Sequence, residues 1–323
     1  MEFNRREDII EITPLWKGER FPDGRPKVPD EVIEKIRNLA LEEVWEICYL
    51  EHYDNQFMTG FQSTHPGRKA PTVGRAVTTT FVPIRKDLDI AMKHRAMLQG
   101  MQGDTNLYNI WVVDSLVEDD VWVIDLFDKD KYGTIIGGNL GTCIKNNTKR
   151  GGAVVWGAVR DLGQLAGIDE ISVFYRKTDP TPLRDHTMIS VNGPTRIGNA
   201  VCLPGDVVYA CDAGVFFIPP HLAMRVVEAG EKTKVKDIFG FQRIREGKYN
   251  GRQIDTFPWP KDMVDDLVEW IKTDPQGEPY RHLSFDQEYE EAATGQSAFN
   301  NRHWKDTQMT RLSELKQYYD DVD

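Results

Sequence analysis

Nothing in the 323 residues approaches the run of about twenty apolar residues that a membrane-spanning helix requires. The N-terminal MEFNRREDII also lacks the short apolar core of a secretory signal, so the expected location is cytoplasmic. Cysteine is scarce: Cys48, Cys143, Cys202 and Cys211 stand apart with no C-x-x-C pair, which argues against a zinc knuckle or a disulfide framework and for buried free thiols. No Lys/Arg cluster interleaved with aromatics offsets the net charge of -11, so neither nucleic acid nor a membrane is an expected partner. The histidines show no H-x-x-x-H spacing, and no G-x-S-x-G nucleophile turn occurs. What remains is 40% hydrophobic and 28% charged, the balance of a globular chain that buries one large core or two smaller ones and meets small molecules or other subunits.

Along the chain, residues 1–34 read as an N-terminal arm, residues 35–254 as the main domain and residues 255–323 as a C-terminal extension. VPDEVIEKIRNLALEEVWEICYL has apolar residues near helical spacing and predicts one amphipathic helix, with Asp30 placed to cap it. TVGRAVTTTFVPI and DDVWVIDL predict strands, DIAMKHRAMLQGMQ a helix, and IIGGNLGTCIKNNTKRG a glycine turn opening into a helix. After ISVFYRK the pattern changes to short runs punctuated by Pro-Gly-Asp and Asp-Ala-Gly, as in antiparallel strands with tight turns. The fold class expected is α/β, with a β-rich segment following the crossovers. The extension carries an amphipathic helix and a polar tail, expected to pack on the body or a neighbouring subunit through Trp270, Tyr280, Phe285 and Trp304.

The stretch GGAVVWGAVRDL (151–162) is apolar enough to be a buried strand, yet it stops at Arg160 and Asp161. In sheets built from βα units, ligands bind beyond the carboxyl ends of the strands, where helix N-termini and loops converge. GGNLGT (137–142) supplies such a helix start, with glycines that admit close approach and a dipole that favours an anion. One helix and one strand fit between Asn139 and Arg160, returning the chain to the same sheet edge. Taken singly, an Arg-Asp pair is a surface ion pair or cap, and a glycine turn is a commonplace.

Together, VGRAVTT (73–79), GGNLGT, GGAVVWGAVRDL and LPGDVVYACDAGVFFIP (203–219) resemble, in order and spacing, the RraA-like family. This family includes regulator of ribonuclease activity A and the class II 4-hydroxy-4-methyl-2-oxoglutarate aldolases. The resemblance covers roughly residues 35–250. It implies a swivelling β/β/α domain, assembled as a homotrimer or homohexamer with active sites between subunits. It makes Asp161 the protein ligand of Mg2+ or Mn2+, with waters in most other positions. Arg160 would contact the keto oxygen or carboxylate of a 2-oxo acid, and the amides of Gly138, Asn139, Leu140 and Gly141 would hold its carboxylate. The implied activity is that of a metal-dependent lyase, an aldolase or an oxaloacetate decarboxylase, releasing pyruvate through a stabilised enolate.

The pattern departs at one place. Family aldolases carry an acid where this chain has Asn139, and an amide cannot accept the proton of the substrate's C4 hydroxyl at neutral pH. Decarboxylation needs no such base. The family site also takes a glutamate from the neighbouring subunit's C-terminal helix, and Asp237 falls near that position, beside Glu228 and Glu231. Asp125, closing VWVID, is a candidate for a contact one layer behind the site. Two other functions compete: a non-enzymatic, protein-binding regulator, as in the family's namesake branch, which lacks the acid after the arginine, and a metal-dependent lyase or dehydratase acting on a sugar-derived hydroxy acid.

Overall fold

The computed structural model describes residues 5–101 and 108–306, with side chains as far as residue 302. Two compact units result: the described residues to 227 without 49–52, and residues 49–52 with those from 228 onward.

The N-terminal segment of the first unit is more than an arm. After α1 (Arg6–Ile12) the chain turns back on itself, bridging Arg20 to Pro26. It then inserts Arg25, 3% exposed, beside Asp120, which is fully buried. Two helices follow where the spacing predicts one: α2 (Asp30–Arg37) and α3 (Leu41–Leu50). Asn38 ends the first, its Nδ2 donating to the Glu34 carbonyl, and Glu43 accepts the Ala40 N–H at the start of the second. These local side-chain bonds satisfy backbone groups that a continuous helix would have paired. Asp30 is the first residue of α2 rather than its cap, and its carboxylate meets the buried Arg75 instead.

The strands are β1 (Phe57–Met58), β2 (Gln62–Ser63), β3 (Thr72–Pro83), β4 (Asp120–Asp125), β5 (Thr134–Ile136), β6 (Gly152–Val159), β7 (Ser172–Thr178), β8 (His186–Val191), β9 (Thr195–Ile197), β10 (Ala200–Cys202), β11 (Val207–Cys211) and β12 (Gly214–Ile218). The large sheet runs β1-β12-β11-β3-β4-β6-β7-β2, with β5 added to β6 and β8 to β3. Its centre, β3-β4-β6-β7, is parallel, and β11, β12, β1 and β2 pair antiparallel around it. Crossovers through α4 (Lys86–Leu98), α5 (Tyr108–Ser115), α6 (Gly138–Thr148) and α7 (Leu162–Leu165) join the parallel strands.

Alternation along β4 shows how both sheet faces are covered. Trp122 and Ile124 pack with Met92, Val112, Ile144 and Leu165 from the helices. Val121 and Val123 face Ile197, Ala200 and Cys202 of the β9–β10 hairpin. Side chains that alternate by two reach opposite layers, giving a hairpin layer, a sheet and a helix layer, each fully buried aliphatic contributing roughly 1.5–3 kcal/mol. The α/β expectation holds, with helical extensions at both ends of the chain. Cys48 and Cys202 are buried as expected, but Cys143 is exposed on α6 and Cys211 is half-buried.

The Pro-Gly-Asp turn before β11 is clasped by Asp206, whose Oδ2 accepts the Leu203 N–H at 2.8 Å. Burial pushes the Asp206 carboxyl up to about 8, only partly opposed by that hydrogen bond. Because the folded state keeps a proton that the unfolded chain releases near the ordinary carboxylate value, Asp206 stabilises the fold least above pH 8. Its contribution falls as pH rises from about 4 to about 8. Urea unfolding across this range is expected to show wild-type stability declining more steeply than that of Asp206→Asn, which keeps an acceptor for Leu203. Parallel curves would contradict this.

The second unit consists largely of helices: most of α8 (Ala223–Arg245), then α9 (Gly251–Ile254), α10 (Lys261–Thr273), α11 (Asp286–Thr294) and α12 (Ala298–Asp306). Met263, Val264, Leu267, Trp270 and Ile271 make the buried stripe of α10. Trp270 and Phe285 pack with Val235 and Phe239 of α8, so these aromatics build a core with the preceding helix, and Tyr280 packs against it. The side chain of Trp304 lies outside the described residues. Among the described residues, no helix is long and apolar enough to cross a membrane.

Candidate active site

β6 ends where the sequence turns from apolar to charged. The Arg160 N–H still bonds the Ile136 carbonyl, at 3.0 Å, so β5 and the carboxyl end of β6 are tied together just where Gly137 leads into α6. The next residue, Asp161, adopts a left-handed backbone (φ 56°, ψ 40°). That conformation disfavours most side chains but is tolerated by Asp, and it swings the chain sharply into α7. The Asp161 carbonyl then accepts the Gln164 and Leu165 N–H groups.

The consequence is a meeting of the two motifs. Asp161 Oδ2 accepts the Gly138 N–H at 3.2 Å and lies 3.5 Å from Arg160 Nε. A Cβ on Gly137 would stand 2.5 Å from Asp161 Oδ2 and 2.9 Å from Arg160 Nε, so glycine is required for both side chains to lie over this turn. Gly141 serves packing: a Cβ there would strike Leu165, and its N–H bonds the Gly137 carbonyl. With the Gly138 amide on Asp161, the Asn139 and Leu140 amides stand ahead of the first intrahelical bond, directed as helix-start donors.

A cleft of about 410 Å3 opens here, lined by Gly137, Asn139, Leu140, Arg160, Asp161 and Gln164, with Asn109 and Thr134 among the rest. Arg160 and Asp161 are half-exposed toward solvent and are the ionisable groups of its wall. Gln164 and Asn109 were not singled out from the sequence. Gln164 had a readable signal, standing three residues after Asp161 in the short helix that Asp161 precedes. Asn109 had none, since it reaches the cleft from α5, where its Nδ2 holds the Ile135 carbonyl.

Asp125 lies elsewhere. Its carboxylate accepts the Phe127 N–H at 2.9 Å and faces Arg196 on β9 at 3.9 Å, and it does not line the cleft. Burial raises its carboxyl above the ordinary range, against the pull of Phe127 and Arg196. Asp212 accepts the Gly67 N–H and so has a turn-holding role. Asp237, Glu228 and Glu231 belong to the second unit. Burial, with Asp255 beside it, raises the Asp237 carboxyl, and Glu231 bonds His282 Nε2 at 2.9 Å.

Among the described residues, no three His, Cys, Asp or Glu gather into a protein cage for a metal. The cleft offers one accessible carboxylate, Asp161, with Arg160 Nε 3.5 Å away and neutral amides around it; a single carboxylate suits a hard ion that keeps most of its waters and leaves positions for a ligand's oxygens.

The RraA-like family model, described as Aldolase/RraA, matches residues 42–217, more than half of the chain. Among solved structures, an uncharacterized protein from Pseudomonas syringae pv. tomato superposes with a TM-score of 0.56 at 17% identity, over 72% of this chain and 100% of that one. Streptomyces coelicolor RraAS2, described as an unusual member of the RNase ES inhibitor RraA protein family, gives 0.51 at 19% identity, over 68% of this chain and 98% of that one. At such identities the likeness is one of fold. With the strand-end turn, the glycine helix start and the family match in agreement, the chain belongs to the RraA-like family.

Proposed function

We propose that the chain is a divalent-metal-dependent carbon–carbon lyase acting on a 2-oxo acid and releasing pyruvate. The observation that carries this reading is Asp161 itself, a carboxylate open to the cleft and set beside Arg160 over the first amides of α6. Asp161 would hold the ion, which when bound supplies a Lewis acid for the keto oxygen, worth several kcal/mol of charge stabilisation. The Asn139 and Leu140 amides bind the substrate carboxylate. The Arg160 guanidinium, whose Nε lies 3.5 Å from Asp161 Oδ2, stabilises the negative charge that gathers on the keto oxygen as the C3–C4 bond breaks.

Decarboxylation is the favoured branch. The Asn139 amide cannot take up the C4 hydroxyl proton that retro-aldol cleavage must remove, and the Arg160 guanidinium carries donors but no acceptor. With Mg2+ or Mn2+, pyruvate is expected from oxaloacetate and, more slowly or not at all, from 4-hydroxy-4-methyl-2-oxoglutarate. Rapid cleavage of the second would overturn the preference. Turnover of neither, with no effect of metal, would favour a protein-binding role or a hydroxy-acid substrate.

Gly137→Ala tests the geometry. The added methyl displaces the Asp161 and Arg160 side chains together, so turnover is expected to fall by about a hundredfold, the cost of roughly 1 Å of misplacement. Steady-state kinetics should show this with the thermal midpoint changed little. Unaltered kinetics would mean that the pair tolerates relocation.

A further inference from the structure

A second cavity shares no wall residue with the Arg160–Asp161 cleft. It measures about 230 Å3 and lies between residues 12–16 of the N-terminal segment and the turn that precedes β11. Its walls are mostly apolar, including Ile12, Pro14, Leu15, Trp16 and Val201. Leu15 and Val201 are 57% and 45% exposed and line the cavity. The Trp16 indole is held in place by its Nε1 bond to the Glu19 carbonyl, which leaves the ring as a wall.

The polar floor is Asp206. It is 2% exposed, yet it lines this cavity, and among the described residues its side chain has one hydrogen-bond partner, the Leu203 N–H on Oδ2. Among the described residues, no Lys or Arg lines the cavity, and none pairs with this carboxyl. A buried carboxyl without a cation is costly to ionise, and a ligand that brings the cation removes that cost. The other titratable wall groups are Tyr53 and His221, whose side chains bond each other at 3.2 Å. The neighbouring Cys48 and Cys202 thiols are pushed up by burial and by Asp206, and stay protonated.

We propose that this cavity is a binding site for a small primary amine, with its apolar body against Leu15, Trp16 and Val201 and its ammonium group on the Asp206 carboxylate. Trp16 adds a ring face that a cation favours. The proton balance follows: the ammonium keeps its proton, and the proton that Asp206 carries in the free protein passes to solvent.

Calorimetry at pH 7 with 2-phenylethylamine and its uncharged isostere 2-phenylethanol, in two buffers of different ionisation enthalpy, tests this. The amine should bind at least about tenfold more tightly than the alcohol, as a charged hydrogen bond requires, and release close to one proton. Asp206→Asn should abolish both the preference and the release. Val201→Trp, at an exposed rim position, should block binding while leaving the fold intact. Equal affinity for the two probes, no binding of the amine, or an amine preference that survives Asp206→Asn or Val201→Trp would overturn the proposal.

Discussion

Asp161→Asn is expected to lower metal-dependent pyruvate formation by about a thousandfold, the loss of roughly 4 kcal/mol of transition-state stabilisation. Asparagine is the informative replacement because it accepts the left-handed backbone at this position and retains an oxygen for the Gly138 N–H. Only the negative charge is removed. The half-exposed side chain makes few other contacts, so stability should change by less than about 1 kcal/mol. Asp161→Ala should show the same kinetic loss plus a backbone cost of about 1 kcal/mol, since alanine is strained at positive φ. Initial rates over a range of Mn2+ concentrations, with urea unfolding of each variant, separate the two effects. An Asp161→Asn protein that retains wild-type turnover would remove this carboxylate from the chemistry.

The largest stability effect is expected far from the cleft, at Arg25. Its Nη1 and Nη2 atoms donate to the two carboxylate oxygens of Asp120 at 2.8 and 3.2 Å, and its Nε donates to Asp23 at 2.7 Å. Burial opposes the guanidinium charge, but Asp120 and Asp23 outweigh it and hold Arg25 protonated. Arg25→Met leaves Asp120 inside the protein with the Val117 N–H as its remaining donor. Stranding a buried charge in this way costs about 3–5 kcal/mol, and the thermal midpoint should drop by roughly 10 °C. The double variant Arg25→Met/Asp120→Leu should recover much of the loss, because neither charge then remains buried. A single variant with an unchanged midpoint would show that the segment's seating does not depend on this pair.

These two sites differ in how far the sequence disclosed them. Arg160–Asp161 was legible because its signal is local: an apolar run that must be a strand, ending abruptly in charge, twenty residues after a glycine helix start. The parallel strands β3, β4 and β6 were legible as short apolar, β-branched runs. Arg25 and Asp120 lie 95 residues apart, and nothing near either one announces the other, so the N-terminal segment read as a polar arm. The division of α2 from α3 escaped periodicity because both halves bury the same face, and the break is made by single side-chain bonds from Asn38 and Glu43. β8 also went unread. It adds to the far half of β3, at Thr79 to Pro83, a pairing set by the length of β3 rather than by a pattern in residues 186–191. The aromatic residues of the extension read as a means of packing on the body or a neighbouring subunit, whereas Trp270 and Phe285 build a core with Val235 and Phe239, in a helix that sequence alone assigned to the preceding domain.

The most direct test of the central claim is a titration of Mn2+ followed by electron paramagnetic resonance, in the presence and absence of oxalate, an analogue of the pyruvate enolate. One ion per chain is expected, bound more tightly when oxalate is present, with both the binding and the oxalate effect lost in Asp161→Asn. Mn2+ binding that is equal in wild type and variant, or indifferent to oxalate, would contradict the account.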